Sequence, residues 1–238
     1  MAKYKEIKGQ NIQVLDTDPV VYAGTWSTGG AVNTARQKIG GGAGTQTAGL
    51  IFSGVSAGSD YEVKTESYNG TSWTEVGDLN TGRAFGAGTG AASTAALAFG
   101  GNIDGGTTVN TEEFDGSSWT ESGNLNTGRA GMGAAGTQTL GLAIAGGPPR
   151  VAIVEEYDGS SWTEVTNLPA ATQEGAAFGL QTAAIFAGGD APGGRTANAF
   201  EYDGTNWTSI SAMNQLRSNY GAAGTTSQGV VYGGEIPG

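Results

Sequence analysis

The chain contains no cysteine and no histidine. The first absence excludes disulfides, thiolate nucleophiles and thiolate-held metals, and leaves the redox compartment unmarked. The second removes the commonest general base and metal ligand. A Ser-His-Asp triad, a Cys-His pair and a His-ligated zinc site are therefore excluded. Charged residues make up only 14% of the 238, and the six prolines are too few for a Pro-rich disordered chain. No apolar run approaches the ~18 residues of a membrane-spanning helix, so no membrane insertion is expected. The start carries Lys3, Lys5 and Lys8 but no apolar stretch after them, so no signal peptide is expected either. The formal net charge of −11 disfavours a phosphate-tracking partner such as DNA or RNA. The longest segment free of glycine and proline is 205–220, which leaves little room for long amphipathic helices.

What is abundant is glycine, 44 residues without a collagen triplet, and the glycines follow a repeat. Five tryptophans, Trp26, Trp73, Trp119, Trp162 and Trp207, are spaced 47, 46, 43 and 45 residues apart. Four of them sit in near copies of one phrase: SYNGTSWTEVGDLNTGRA from Ser67, EFDGSSWTESGNLNTGRA from Glu113, EYDGSSWTEVTNLPAAT from Glu156 and EYDGTNWTSISAMNQLRS from Glu201. Each unit also holds a small-residue apolar stretch ending in a glycine pair, at Gly101, Gly147, Gly189 and Gly234, with Ser53-Gly54 in the first. Within one unit, residues 83–89, 95–99, 109–114 and 119–122 read as four short strands. The third and fourth are joined by a tight turn at Asp115-Gly116.

Four strands per 43–47 residues, repeated five times, predict an all-β, five-bladed β-propeller. The last unit has first strands near Tyr220–Gly224 and Val230–Tyr232 but lacks its outer pair. Val20-Val21-Tyr22 and Thr25-Trp26-Ser27 are expected to supply it, closing the ring with strands from both termini. The expected organisation is an attachment segment over 1–18 and the propeller over 19–238. The glycine pair, the aromatic ten to fourteen residues later and the Trp five further on resemble a Kelch repeat over about 19–236. Propellers host unrelated functions, so this resemblance implies a fold and not an activity.

Several motifs have two readings. Residues 131–136 spell G-x-G-x-x-G, but no helix is expected after it to face a pyrophosphate, and a channel-lining strand is favoured. The DGSSW phrase is similar to the Asp-box turn of sialidase-like propellers, without the box's upstream serine, and reads as a structural hairpin. Asn69 and Asn206 match glycosylation sequons and are read as turn residues. Arg36, Arg83, Arg129 and Arg217 recur between units, with Ala171-Thr172 in the remaining one, and Glu113, Glu156 and Glu201 recur with Glu66 one place earlier. They form either an anion-binding ring at the channel mouth or, as periodicity favours, inter-blade pairs of small net energy if exposed. The least repetitive segments, the loops at 55–60, 102–107, 148–150 and 190–195, place Asp60, Asp104, Arg150, Asp190 and Arg195 on one rim as candidate contacts. Thr/Gln hairpins on the opposite rim suit either sugar hydroxyls or solvent. Adjacent carboxylates such as Glu112/Glu113 point to opposite faces of a strand, and copper-radical chemistry of the galactose-oxidase type needs ligands absent here. No enzyme activity, metal or cofactor is expected.

The N-terminal MAKYKEIKGQNIQVLDTD, followed by units with GTQT and LNTGRA phrases, resembles structural proteins of marine tailed bacteriophages. That resemblance implies a virion location, on capsid or tail, with other virion proteins or a host-surface glycan or protein as partners and oligomerisation through the particle. Two other readings stay open: a glycan-binding propeller with exposed Trp platforms between blades, and a cellular Kelch-type scaffold, which would be cytoplasmic.

Overall fold

The computed structural model describes residues 28–58 and 60–236. Trp26, the expected closing strands at 20–27 and the attachment segment 1–18 lie outside the described residues. Among those described there is no helix, and they form 22 short strands. The first sheet is β1 (Gly41–Thr45), β2 (Ala48–Phe52), β3 (Thr65–Tyr68) and β4 (Trp73–Val76). The second is β5 (Ala87–Ala92), β6 (Ala95–Phe99), β9 (Thr111–Phe114) and β10 (Trp119–Ser122), with the small hairpin β7 (Asn102–Ile103) and β8 (Gly106–Thr107) inserted. The third is β11 (Gly133–Gly136), β12 (Gly141–Ile144), β13 (Val154–Tyr157) and β14 (Trp162–Glu164). The fourth is β15 (Ala176–Leu180), β16 (Ala183–Ala187), β19 (Ala199–Tyr202) and β20 (Trp207–Ile210), with the hairpin β17 (Asp190–Ala191) and β18 (Gly194–Arg195). β21 (Gly221–Thr225) and β22 (Gln228–Tyr232) make a two-stranded sheet. Every four-stranded sheet is antiparallel, its strands paired in chain order.

The first strands of successive sheets lie side by side, β1 by β5, β5 by β11, β11 by β15 and β15 by β21. Three apolar clusters fill the spaces between consecutive four-stranded sheets. Phe52 and Leu50 meet Phe114 and Trp119, Phe99 and Leu97 meet Tyr157 and Trp162, and Ile144 and Leu142 meet Phe186, Phe200 and Tyr202. The result is a β-propeller-like arrangement. Second strands are sandwiched on both faces, and β12 is buried at every position. First strands must approach one another, and small residues permit it. A Cβ on Gly88 would sit 2.3 Å from Phe52 Cζ, so the bare backbone of β5 is the floor on which the neighbouring sheet's phenylalanine rests.

Two expected boundaries shift for physical reasons. The strand expected over 83–89 begins at Ala87, because the chain is still turning at Phe85 (φ 50°) and Arg83 is buried in an ion pair. In the third unit the pair expected to end at Gly147 is instead Ala145-Gly146. Ala145 (φ 60°) and Gly146 (φ 108°) match Gly100 (φ 60°) and Gly101 (φ 104°), while Gly147 bridges Ala130 as Asn102 bridges Ala84.

The recurring arginines are not a ring of free cations. Arg36, Arg83 and Arg129 are clamped to Glu66, Glu112 and Glu155, every side chain at most 1% exposed. The pairs are therefore buried, not the exposed contacts that would carry little energy. The partner carboxylates are also one residue earlier than the Glu113/Glu156/Glu201 series. Each clamp collects further bonds that offset desolvation. Asn80 N–H and Nδ2 both donate to Glu112 Oε2, at 2.7 and 3.0 Å, and Asn80 Nδ2 also reaches Trp119 O at 3.0 Å. Arg83 donates to the carbonyls of Gly100 and Asn110 at 3.2 and 2.8 Å. Asn126 makes the same bonds to Glu155 and Trp162 O while Arg129 donates to Ala145 O, and around Glu66 Asn33 gives its N–H to the carboxylate and its Nδ2 to Trp73 O while Arg36 donates to Lys64 O. The LNTGRA phrase is thus a connection folded to dock on the next sheet's carboxylate. Burial alone would raise the Glu66 carboxyl, but N–H donation from Asn33 and Thr34 and the Arg36 guanidinium hold it below its ordinary value.

The other glutamates serve the opposite face. The Tyr157 hydroxyl donates to Glu113, and that of Tyr202 to Glu156 at 3.0 Å, each tying a sheet to its predecessor. The tryptophans do the same. Trp119 Nε1 donates to Thr65 Oγ1 at 2.9 Å and Trp162 Nε1 to Thr111 Oγ1 at 3.0 Å, both rings only 5% exposed.

At the third-to-fourth interface the clamp is replaced as a unit. Where the other sheets have Asn, Arg and Glu, this one has Pro169, Thr172 and Phe200. A proline has no N–H left unsatisfied when the carboxylate is gone. Val154 stands where Thr65 and Thr111 stand, so Trp207 Nε1 turns to Thr166 O at 3.0 Å, and Ile144 replaces the phenylalanine. Glu155→Phe alone should cost about 3–5 kcal/mol, since it strands a buried guanidinium. The triple change Asn126→Pro, Arg129→Thr, Glu155→Phe should recover at least half of that loss. Urea midpoints of the single and triple variants measure it.

Candidate functional site

Strands β1, β5, β11, β15 and β21 line one cavity of about 970 Å³, walled mostly by glycine and alanine, with Gly131–Gly136 among them. The G-x-G-x-x-G stretch therefore belongs to the channel wall, ending in β11. At one mouth stand the residues two positions after each clamp arginine or its replacement: Lys38, Phe85, Gly131, Glu174 and Asn219. All five have left-handed backbones, φ 56°, 50°, 62°, 59° and 54°. Such conformations are uncommon for Lys, Phe and Glu and cost of order 1–3 kcal/mol each. What holds them is a girdle of backbone bonds. Phe85 N–H donates to Lys38 O (3.1 Å), Gly131 N–H to Phe85 O (2.7 Å), Glu174 N–H to Gly131 O (2.7 Å) and Asn219 N–H to Glu174 O (3.0 Å).

A second ring flanks it: Val55, Asn102, Gly147, Asp190 and Glu235, each bridged to the connection before a first strand. This places the second-to-third-strand loops and the inter-sheet connections on one rim. Of the candidate contacts, Arg150, Asp190 and Arg195 are brought together. Arg150 Nη2 lies 3.9 Å from Asp190 Oδ2, and Arg195 pairs with Glu235 while its Nε donates to Ser218 Oγ at 3.1 Å. Asp60 and Asp104 stay apart from this group, exposed on the loops of the first and second sheets. The fourth recurring arginine, Arg217, forms half a clamp. Its Nη1 donates to Gly233 O at 2.9 Å, and its Nε is buried without a hydrogen-bond partner.

Glu174 is central to the polar side of the mouth. Burial pushes its carboxyl up, and the charges of Asp190 and Glu235 add to the rise; Asn219 Nδ2, donating to Oε2 at 3.0 Å, opposes it. Across the mouth, Lys38 Nζ lies 5.1 Å from the centre of the Phe85 ring. Lys38, Phe85, Glu174, Asn219 and Glu235 were not among the sequence candidates. The signal that marks them is the converse of a motif: in a chain of near copies, one ring position holds a different residue type in every unit.

The opposite rim is less available than its composition suggests. Gln138 Nε2 donates to Phe114 O at 2.7 Å, and Gln181 Nε2 to Gly141 O and Tyr157 O at 3.0 and 2.7 Å, so these amides stitch neighbouring sheets. Asp115, Asp158 and Asp203 accept N–H groups two and three residues on, and Asn69 does likewise, which accounts for the DG and NG turns. Those donors hold the Asp115 and Asp158 carboxyls down at about 2. Among the described residues, no group of three or more His, Cys, Asp or Glu is placed to hold a metal ion, and no helix is long and apolar enough to cross a membrane.

No protein-family model matches this chain, and no curated protein matches it significantly.

The two kinds of carboxylate give opposite pH effects. Asp115 and Asp158, depressed in the native state, stabilise it above their ordinary value, and that contribution disappears as pH falls from about 4 to about 2. Glu174, raised, binds its proton more tightly when folded, so its ionisation destabilises the fold as pH rises through the window above about 4.5. Glu174→Gln should therefore melt higher than wild type at pH 7, by a few degrees at most. The difference should vanish near pH 4, as thermal melts across pH will record.

Proposed function

We propose that this chain is a five-bladed, Kelch-like propeller acting as a non-enzymatic display and contact protein of a phage particle. In this reading it docks through residues 1–18 and presents the propeller to other virion proteins or to a host surface. The observation that carries it is the division of labour among polar residues. The repeated Arg, Glu, Asn, Tyr and Trp groups are spent in buried contacts between sheets, and the varied residues gather on one rim. A rigid body with one varied face is suited to contact, and many copies on a shell multiply weak contacts.

The fifth blade is supported by β21–β22, which pair as the first two strands of the other sheets do. Its outer strands in this reading are Val20–Tyr22 and Thr25–Ser27. The virion assignment rests on the resemblance of the N-terminal and repeat phrases. The glycan-binding alternative is weakened by the burial of Trp119 and Trp162, which removes two of its stacking platforms.

Deleting residues 1–18 in the phage should abolish incorporation of the protein into particles, while the truncated chain keeps its β circular dichroism and cooperative melt. Incorporation at the wild-type level would contradict the docking assignment.

A further inference from the structure

The channel mouth has a chemistry of its own. Its walls are mostly glycine and alanine, which leave room for a ligand's aliphatic stem, and Phe85 and Tyr220 stand among the lining residues on the apolar side. On the polar side stand three carboxylates, and they are not equivalent. Asp190 has Arg150 and Glu235 has Arg195, whereas among the described residues no cation lies within ion-pair distance of Glu174. Glu174 lines the cavity itself, its carboxylate oriented by Asn219 Nδ2 at 3.0 Å. Lys38, the cation of the same ring, lies over Phe85. Among the described residues, Glu174 is thus the channel-lining carboxylate without an ion-pair partner, the Arg150 charge that acts on it being paired with Asp190. A carboxylate in that position favours a ligand that brings the missing charge.

We propose that the channel mouth binds a primary ammonium on an unbranched aliphatic stem, with Glu174 as its anionic contact and Asn219 as the residue that positions that carboxylate. The stem lies along the glycine and alanine wall against Phe85 and Tyr220, where apolar area is buried without steric conflict. Two sources share this chemistry, a lysine side chain of a partner protein and a free alkyl diamine. The chain's net charge of −11 draws either to the surface. The inference deepens the contact-face reading of this rim and is independent of the N-terminal docking claim.

The groups facing Glu174 are Asp190, Glu235, Arg150 and Asn219, and they make its affinity for an ammonium depend on pH. Protonation of Glu174 removes the anionic contact, so binding weakens as pH falls through its raised value.

The test is an amide-resolved NMR titration of the full-length chain with 1,5-diaminopentane and, separately, with Nα-acetyl-lysine amide, using butyrate as a control for the stem alone. The expected result is saturable shifts confined to the mouth, at Phe85, Gly131, Glu174 and Asn219, with none from butyrate. Glu174→Gln should weaken binding at least tenfold, while Glu121→Gln, which removes an exposed charge on the outer strand β10, should leave it unchanged. Should Glu174→Gln misfold, the wild-type pH series stands in: affinity must fall in step with Glu174 protonation read from its carboxyl shift. Binding of the lysine amide identifies a protein side chain as the ligand, and binding of the diamine alone identifies a free diamine. Absence of saturable shifts, shifts mapping elsewhere, or equal affinity in Glu174→Gln would overturn the site. Because the isolated chain is used, failure here leaves the virion-docking result untouched, and the reverse also holds.

Discussion

A guanidinium and a carboxylate buried together between two sheets is the arrangement from which the rest of this structure follows. Neither ion tolerates burial alone, so each must be surrounded by donors or acceptors of fixed position. That requirement dictates the connection between sheets. Asn80 turns its N–H and side chain onto Glu112, Arg83 reaches the left-handed Gly100 carbonyl, and Leu79 is drawn into the apolar cluster beneath. The first strand can begin only after this docking is complete, which is why β5 starts at Ala87. Once the connection is locked, the next sheet's face is set against its predecessor, and Trp119 falls on Phe52 at 4.8 Å, ring edge against ring face.

The third-to-fourth interface shows how tightly those groups are coupled. Pro169, Thr172 and Phe200 replace the donor, the cation and the anion in one step, and the interface becomes apolar, with Phe186 and Phe200 in its cluster. A single substitution would leave a charge or an N–H without a partner. The all-or-none pattern within one chain is what the energetics of buried ion pairs require.

The architecture was largely legible in the sequence because it is built from repetition. The Trp spacing, the DG turns and the small-residue strands led to four-stranded antiparallel sheets, and the second and fourth strands of the second sheet occur at 95–99 and 119–122 as expected. What was not legible were partner identities one residue apart. Glu112 and Glu113 look equivalent in a strand, yet one faces Arg83 and the other Tyr157, because alternate residues take opposite faces. The Ala145-Gly146 pair was misplaced for a similar reason: a positive φ at alanine carries no compositional mark. Loop variability singled out five rim residues, of which Arg150, Asp190 and Arg195 lie near one another while Asp60 and Asp104 stand apart. It missed Lys38, Phe85, Glu174 and Asn219 altogether, since these occupy the framework's own connections and are revealed only when five connections converge on one channel.

The account's central claim is that the buried clamps belong to the cooperative framework and are not surface ornaments of it. Native-state hydrogen exchange at the Asn80 and Asn126 amides, which donate to Glu112 and Glu155 at 2.7 and 2.8 Å, tests this most directly. These amides lie outside regular strands. The account predicts that they exchange only through global unfolding, with the same free energy as the Leu97 and Leu142 amides in the second strands. Exchange through local opening, orders of magnitude faster than those strand amides, would contradict it.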